Sequence, residues 1–162
     1  GKEIKHNTEE ETSPLIEVKT AIDDNYVSEE ELKIEIHQKI NTIDSYEKLI
    51  SVKNELEDRF GKVSEDLIIY MHEEWFEKLA EQIGINQIRQ MKNFVEITLD
   101  KDLTKKVDGE TLFYEVSQLS RMFRFSLKFE RLIITLDTIK LEKHFIYYLI
   151  DLMQILAKSL KK

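Results

Sequence analysis

The sequence predicts an α+β fold: an N-terminal helical half, then antiparallel strands or hairpins with a packed C-terminal helix. Two observations carry this. Apolar residues recur at helical spacing up to Gly84, alternate with polar ones across Val95–Leu99 and Phe123–Leu136, and return to helical spacing from about Lys140. Helices and strands therefore come in runs, which separates α+β from a parallel α/β sheet.

Residues 1–14 are polar, carry Glu9, Glu10 and Glu11 in a row and end at the one proline, Pro14. They read as a flexible linker or tag remnant. Residues 15–162 read as a single α+β domain, a usual length for one. Leu15, Ile16, Val18 and Ile22 suggest a short strand, followed by a turn at Asp23, Asp24 and Asn25. Ser28 with Glu31 reads as a capping box opening a first helix, with Leu32, Ile36, Ile40 and Ile43 at helical spacing. After a break at Asn41 to Ser45, Asp44 or Ser45 caps a second helix with Leu49, Val52, Leu56 and Phe60 on one face, ended by Gly61. Ser64 caps a third, which carries Leu67 or Ile68, Met71, Trp75 and Leu79 and stops at Gly84.

Val95, Ile97 and Leu99 then alternate with polar residues as a half-buried strand does, with Ile85 to Met91 as its hairpin partner. Asp100 to Gly109 reads as a polar loop, and Leu112, Val116 and Leu119 as a short helix. Phe123, Phe125, Leu127 and Phe129 alternate along a strand whose apolar face is expected in the core. After a turn at Glu130-Arg131, Leu132, Ile134 and Leu136 continue the alternation. The last helix is expected from about Lys140 to Leu160, burying Leu141, Phe145, Leu149, Leu152 and Leu156.

The 162 residues are 41% hydrophobic and 35% charged, which suits a globular domain and argues against wholesale disorder. There is no cysteine, which removes disulfides, thiol catalysis and thiolate metal sites and fits a cytoplasmic protein. No run of about 18 apolar residues occurs, so no membrane span is expected. The chain begins with Gly and not Met, which suggests a piece of a longer protein. Charge is uneven: residues 28–83 hold 15 acids and 7 bases, whereas 84–162 hold 10 acids and 14 bases. An acidic helical half is a poor phosphate binder. It is either a solvated face or a match for a basic protein surface.

Motifs for chemistry are missing. His72-Glu73-Glu74-Trp75-Phe76 starts like a zinc-protease helix, but that site needs a second His at position 76, where Phe stands. His6, His37 and His144 lack a partner at ligand spacing. The four glycines are scattered, so no phosphate-cradling loop forms, and no nucleophile elbow occurs. No catalytic residue, metal site or cofactor site is therefore expected. One cluster stands out. Helical spacing brings Glu55, Asp58 and Arg59 to a common patch just before Phe60 and Gly61. The residues alone leave two readings: a helix-end pair on a solvated face, or a docking patch for a basic partner.

The stretch Tyr26-Val27, a helix, a Ser/Thr-containing turn, a second helix and Leu56-Glu57-Asp58-Arg59-Phe60-Gly61 resembles the C-terminal domain of bacterial transcription-repair coupling factors. The likeness covers about Ile16 to Leu99. Val18, Ile22, Asp24, Tyr26 and Val27 match the family's extended entry segment. Leu79, Ala80, Ile83, Gly84 and Ile85 match the exit from its third helix. The family commonly has proline where this chain has Asp23, Lys62 and Ser64; those changes affect turn rigidity rather than fold.

The resemblance implies the last, autoinhibitory domain of a DNA translocase that acts on stalled RNA polymerase and recruits the excision-repair ATPase UvrA. Such a domain is not an enzyme; ATP and magnesium belong to the parent's motor domains. It docks on the parent's N-terminal UvrA-like module, masks the surface that binds UvrA and restrains the motor. Glu55 and Asp58 match the family's acidic contact positions and Arg59 the neighbouring arginine. UvrA and RNA polymerase are then indirect partners, and no direct nucleic-acid contact is expected. Two other readings stay open: a domain that binds UvrA or RNA polymerase directly, and a nucleic-acid accessory domain using the basic C-terminal half.

Overall fold

The computed structural model describes residues 22–161, so the strand proposed from Leu15 and the linker at 1–14 lie outside the described residues. Among these, the chain forms two compact units, one ending at Lys78 and one starting at Leu79.

The first unit opens with a turn in which the Tyr26 and Val27 amides both donate to the Asp23 carbonyl. Helix α1 (Glu30–Ile40) follows. The expected capping box does not form. Glu29 is the N-cap, without a side-chain bond to the helix, and Ser28 lies one residue too early. The reason is the entry turn: Val27 is buried, which fixes where the chain can begin to coil. Glu30 and Glu31 in the first turn offset the positive helix end instead.

Ser45 caps helix α2 (Tyr46–Phe60) by accepting from the Lys48 amide at 3.1 Å. Leu49, Val52 and Leu56 are buried as expected, while Phe60 is half-buried. Gly61 ends the helix at φ 96°, a conformation that a side chain makes costly. Ser64 accepts from the Leu67 amide at 3.2 Å and opens α3 (Glu65–Ile83). Leu67, Met71 and Trp75 are buried; so are Tyr70, Phe76 and Glu73, which a single apolar stripe does not pick out.

The second unit is a four-stranded antiparallel sheet with helices. β1 (Gln87–Gln90) pairs with β2 (Phe94–Thr98), β2 with β4 (Arg131–Asp137), and β4 with β3 (Phe123–Lys128), giving the order β1-β2-β4-β3. Val95, Ile97, Ile134 and Leu136 are almost fully buried on one face.

Residues 100–109 are not a loop. They include α4 (Lys101–Lys106), capped by Asp100, which accepts from the Leu103 amide at 2.8 Å. The helix is too short, with Leu103 as its buried residue, to leave a periodic signal. Thr104 of α4 ties it to the sheet, accepting from the Leu132 amide at 3.0 Å. α5 (Gly109–Leu119) is capped by Asp108 and buries Leu112 and Val116. α6 runs over Phe145–Lys158, starting five residues later than expected. Its cap is the His144 ring, whose Nδ1 accepts from the Ile146 amide at 3.1 Å, and His is not among the usual capping residues.

Two further expectations fail at the β3–β4 turn. The turn residues are Phe129 and Glu130, both at positive φ (53° and 66°), one residue earlier than expected. The outer half of β3 is not core: Leu127 is 66% and Phe129 89% exposed. Burial reaches Phe123 but not the far end of this edge strand.

Candidate functional site

The end of α2 is held by a set of contacts that explains much of the motif. Tyr26 reaches across from the entry turn. Its hydroxyl lies 2.8 Å from the Gly61 carbonyl and 3.3 Å from that of Leu56, two main-chain acceptors at the helix end. Its ring meets Phe60 edge-on at 6.1 Å. Burial, then the Glu57 carboxylate, pushes the Tyr26 phenol up, so it stays a donor. Glu57 accepts from the Val63 amide at 3.2 Å and pairs with Lys53 at 3.4 Å. Glu57 therefore braces the chain beyond Gly61 and is not a free acid of the cluster.

Arg59 lies over the Phe60 ring, 4.7 Å from its centroid. Its main partner is Glu35 of α1, hydrogen-bonded through Nη1, with Nη2 3.5 Å from the other carboxylate oxygen. That bond raises the Arg59 guanidinium and holds the Glu35 carboxyl below the usual range. Glu55 sits between two cations, 2.8 Å from Lys39 Nζ and 3.9 Å from Arg59 Nη1. The structure thus joins Glu55 and Arg59 in a four-charge chain with Glu35 and Lys39. Sequence reasoning missed the two α1 members, although their i, i+4 spacing was a visible signal.

Asp58 is different. It is exposed on the same turn and has no ion-pair or hydrogen-bond partner among the described residues. It also stands in the last turn of α2, where a carboxylate opposes the helix dipole by about 0.3–1 kcal/mol at exposed sites. Arg59 is the basic residue of that turn, but its guanidinium is engaged by Glu35.

The histidine motif is structural. His72 Nδ1 bonds back to the Ile68 carbonyl of its own helix at 2.9 Å, and Phe76 is fully buried. His37 Nδ1 lies 2.8 Å from the Tyr70 hydroxyl. Glu73, Glu74 and Glu77 bring one carboxylate oxygen each within 4.8 Å of one another. Burial first, then Glu77 and Glu74, pushes the Glu73 carboxyl up to about 8, so near neutral pH it carries a proton. Burial likewise pushes the Tyr70 phenol up to about 12. Among the described residues, no helix is long and apolar enough to cross a membrane.

Fold and surface together define an α+β chain whose most organised exposed feature is an ion-paired helix end, a surface that can exchange partners. The TRCF domain model matches residues 16–110, and the chain belongs to that family. It is 27% identical over 136 residues to a transcription-repair-coupling factor of Staphylococcus haemolyticus, matching 82% of this chain and 12% of the relative. The Staphylococcus aureus (strain USA300) protein of the same name is 28% identical over 111 residues, 68% of this chain and 10% of the relative. The chain thus spans about an eighth of the curated relatives' length at most. In structure it is similar to the crystal structure of the C-terminal domain of transcription-repair coupling factor, with TM-score 0.76 at 17% identity over 90% of this chain and 91% of the other. That likeness establishes the fold.

Proposed function

We propose that this chain is a non-catalytic docking domain within a cytoplasmic transcription-repair coupling factor, and that the end of α2 is its docking surface. In this reading it seats on the N-terminal UvrA-like module of the same protein. Seated there, it masks the surface that would bind UvrA and restrains the ATP-driven motor. The observation that carries the reading is Asp58: an exposed carboxylate, unpaired among the described residues and placed against its own helix dipole. A basic group on a partner would supply the missing charge.

Glu55 and Arg59 play a second part. Each already has partners, so docking means exchange: a basic partner side chain competes with Lys39 for Glu55, and an acidic one with Glu35 for Arg59. Exchange among exposed pairs changes the free energy little, within about 1 kcal/mol. Such a contact is weak alone. Tethering in one chain supplies an effective concentration of roughly millimolar, which lets a weak contact hold and still release.

An NMR titration of the labelled chain with the separate N-terminal module tests this. Amide shifts should concentrate at the end of α2 and fade with added salt. Asp58→Lys should abolish them more completely than Glu55→Lys, because Glu55 is already shared with Lys39. Shifts centred elsewhere, or an Asp58→Lys chain that titrates like the wild type, would count against the docking role.

A further inference from the structure

We infer that the outer edge of β3 is a second binding surface, independent of the α2 patch, which takes up an extended peptide segment of alternating apolar and acidic residues as a fifth strand. β3 ends the sheet order β1-β2-β4-β3. The Asp137 amide donates to the Met122 carbonyl at 2.9 Å, which sets the phase of the ladder. With Arg124 opposite Thr135, Ser126 opposite Ile133 and Lys128 opposite Arg131, these residues turn their main-chain groups toward β4. Those of Phe123, Phe125 and Leu127 point outward. Arg124 Nη1 covers the Phe123 carbonyl at 3.2 Å. The main chain of Phe125 and Leu127 is left open among the described residues.

The side chains beside this edge are those a docked strand would need. Phe125 packs on Phe113 of α5, ring centroids 4.7 Å apart. Together with Val107, Leu127 and Leu132 they line a groove of about 320 Å³. Phe113 is 48% exposed and Leu127 66%, so apolar surface stands uncovered where alternate residues of an added strand would lie. On the other sheet face the edge presents Arg124 and Lys128, both exposed. Charged side chains commonly guard an edge strand against pairing. A guard role does not account for the open apolar groove on the opposite face of the same residues.

Charge selects the occupant. A second copy of the chain paired through Phe125 and Leu127, each opposite the other, would set Arg124 against Lys128 on both sides, which is repulsive. A segment with acidic residues at alternate positions meets those same cations favourably, and residues 84–162 carry 14 bases against 10 acids. Binding would come from main-chain bonds to Phe125 and Leu127 and from apolar side chains over Phe113. Selectivity would come from Arg124 and Lys128.

The test uses the full 162-residue chain and a short blocked, fluorescein-labelled peptide alternating glutamate with valine. Saturable anisotropy change is expected, with amide shifts at Phe125 and Leu127. A peptide with lysine in place of glutamate should bind more weakly, and Lys128→Glu, which leaves Arg124 as the one cation of the pair, should remove most of that preference. Leu127→Pro removes an outward N–H and no ladder bond, so the sheet can keep its pairing. It should weaken binding roughly tenfold, the equivalent of one main-chain hydrogen bond. Should Leu127→Pro fail to fold, the amide shifts and the loss of preference in Lys128→Glu decide alone. The inference is overturned by a Kd weaker than about 1 mM, by equal binding of a peptide with the same composition in non-alternating order, or by amide shifts away from β3. Self-association of the chain abolished by Leu127→Pro would also overturn it, because a second copy would then be the occupant.

Discussion

Glu73 offers a direct check on the helical unit, because one substitution should change how stability depends on pH. Its carboxyl is pushed from 4.5 to about 8 by burial and by the neighbouring Glu77 and Glu74. In the unfolded chain the same group ionises near its ordinary value. Between those two values the folded state holds a proton that the unfolded state has released, so stability falls as pH rises from about 4.5 to about 8 and levels off above. Each pH unit over that span is worth 1.36 kcal/mol, which sets an upper bound of roughly 5 kcal/mol. Glu73→Gln keeps the size of the protonated acid and removes the titration. Urea unfolding of both proteins between pH 5 and 9, followed by the fluorescence of the single tryptophan, Trp75, reads this helix. The difference between the two proteins should grow with pH in favour of Glu73→Gln up to about 8 and then level off. Titrating groups that do not interact with Glu73 cancel in that difference. Parallel curves would mean that Glu73 is ionised at little cost, and the account of its burial would fall.

Other outcomes follow from the same structure. Phe129→Asn with Glu130→Gly should stabilise the chain by about 1–2 kcal/mol in urea, since both turn positions sit at positive φ and now carry residues that resist it; no gain would mean the turn relaxes in solution. Ile134→Ala, on a central strand and 1% exposed, should cost about 2–5 kcal/mol, whereas Leu127→Ser should change stability by less than about 0.5 kcal/mol. Equal losses at the two sites would contradict the assignment of β3 as an open edge. Glu57→Ala should weaken folding by about 1–2 kcal/mol and speed exchange of the Val63 amide, because a charged acceptor is lost there.

Much of the fold was legible because its signals were local. Ser45 and Ser64 each accept from an amide three residues on, and Leu49, Val52 and Leu56 repeat at helical spacing. The alternation of Val95, Ile97 and Leu99 locates β2, and the stretch Ile85 to Met91 just before it reads as its hairpin partner, as the structure has it. What escaped was decided by tertiary contact. The alternation of Phe123, Phe125, Leu127 and Phe129 gives a strand but cannot say how far its cover extends, and here it ends before Leu127. Ser28 and Glu31 satisfy a capping pattern that the burial of Val27 displaces. At the candidate site, the sequence located Glu55, Asp58 and Arg59. It did not separate the shared acid from the unshared one, because Glu35 and Lys39 come from another helix. The clamp that Tyr26 makes on Gly61 was equally hidden, being a contact across 35 residues.

The central claim is that the end of α2 holds this domain in a docked, restraining position, and its most direct test is in the full-length protein. Glu55→Lys with Asp58→Lys replaces two attractive charges with like charges facing a basic partner. The first of these substitutions also sets a cation beside Lys39 and Arg59, at a local cost of a few tenths of a kcal/mol per like-charge pair. That is too little to unfold the chain. The measurement is UvrA binding and ATPase rate of the wild-type and doubly substituted proteins, side by side at low salt. The docking account predicts that both rise together in the substituted protein. A folded double variant in which neither changes would show that Glu55 and Asp58 lie on a solvated helix face.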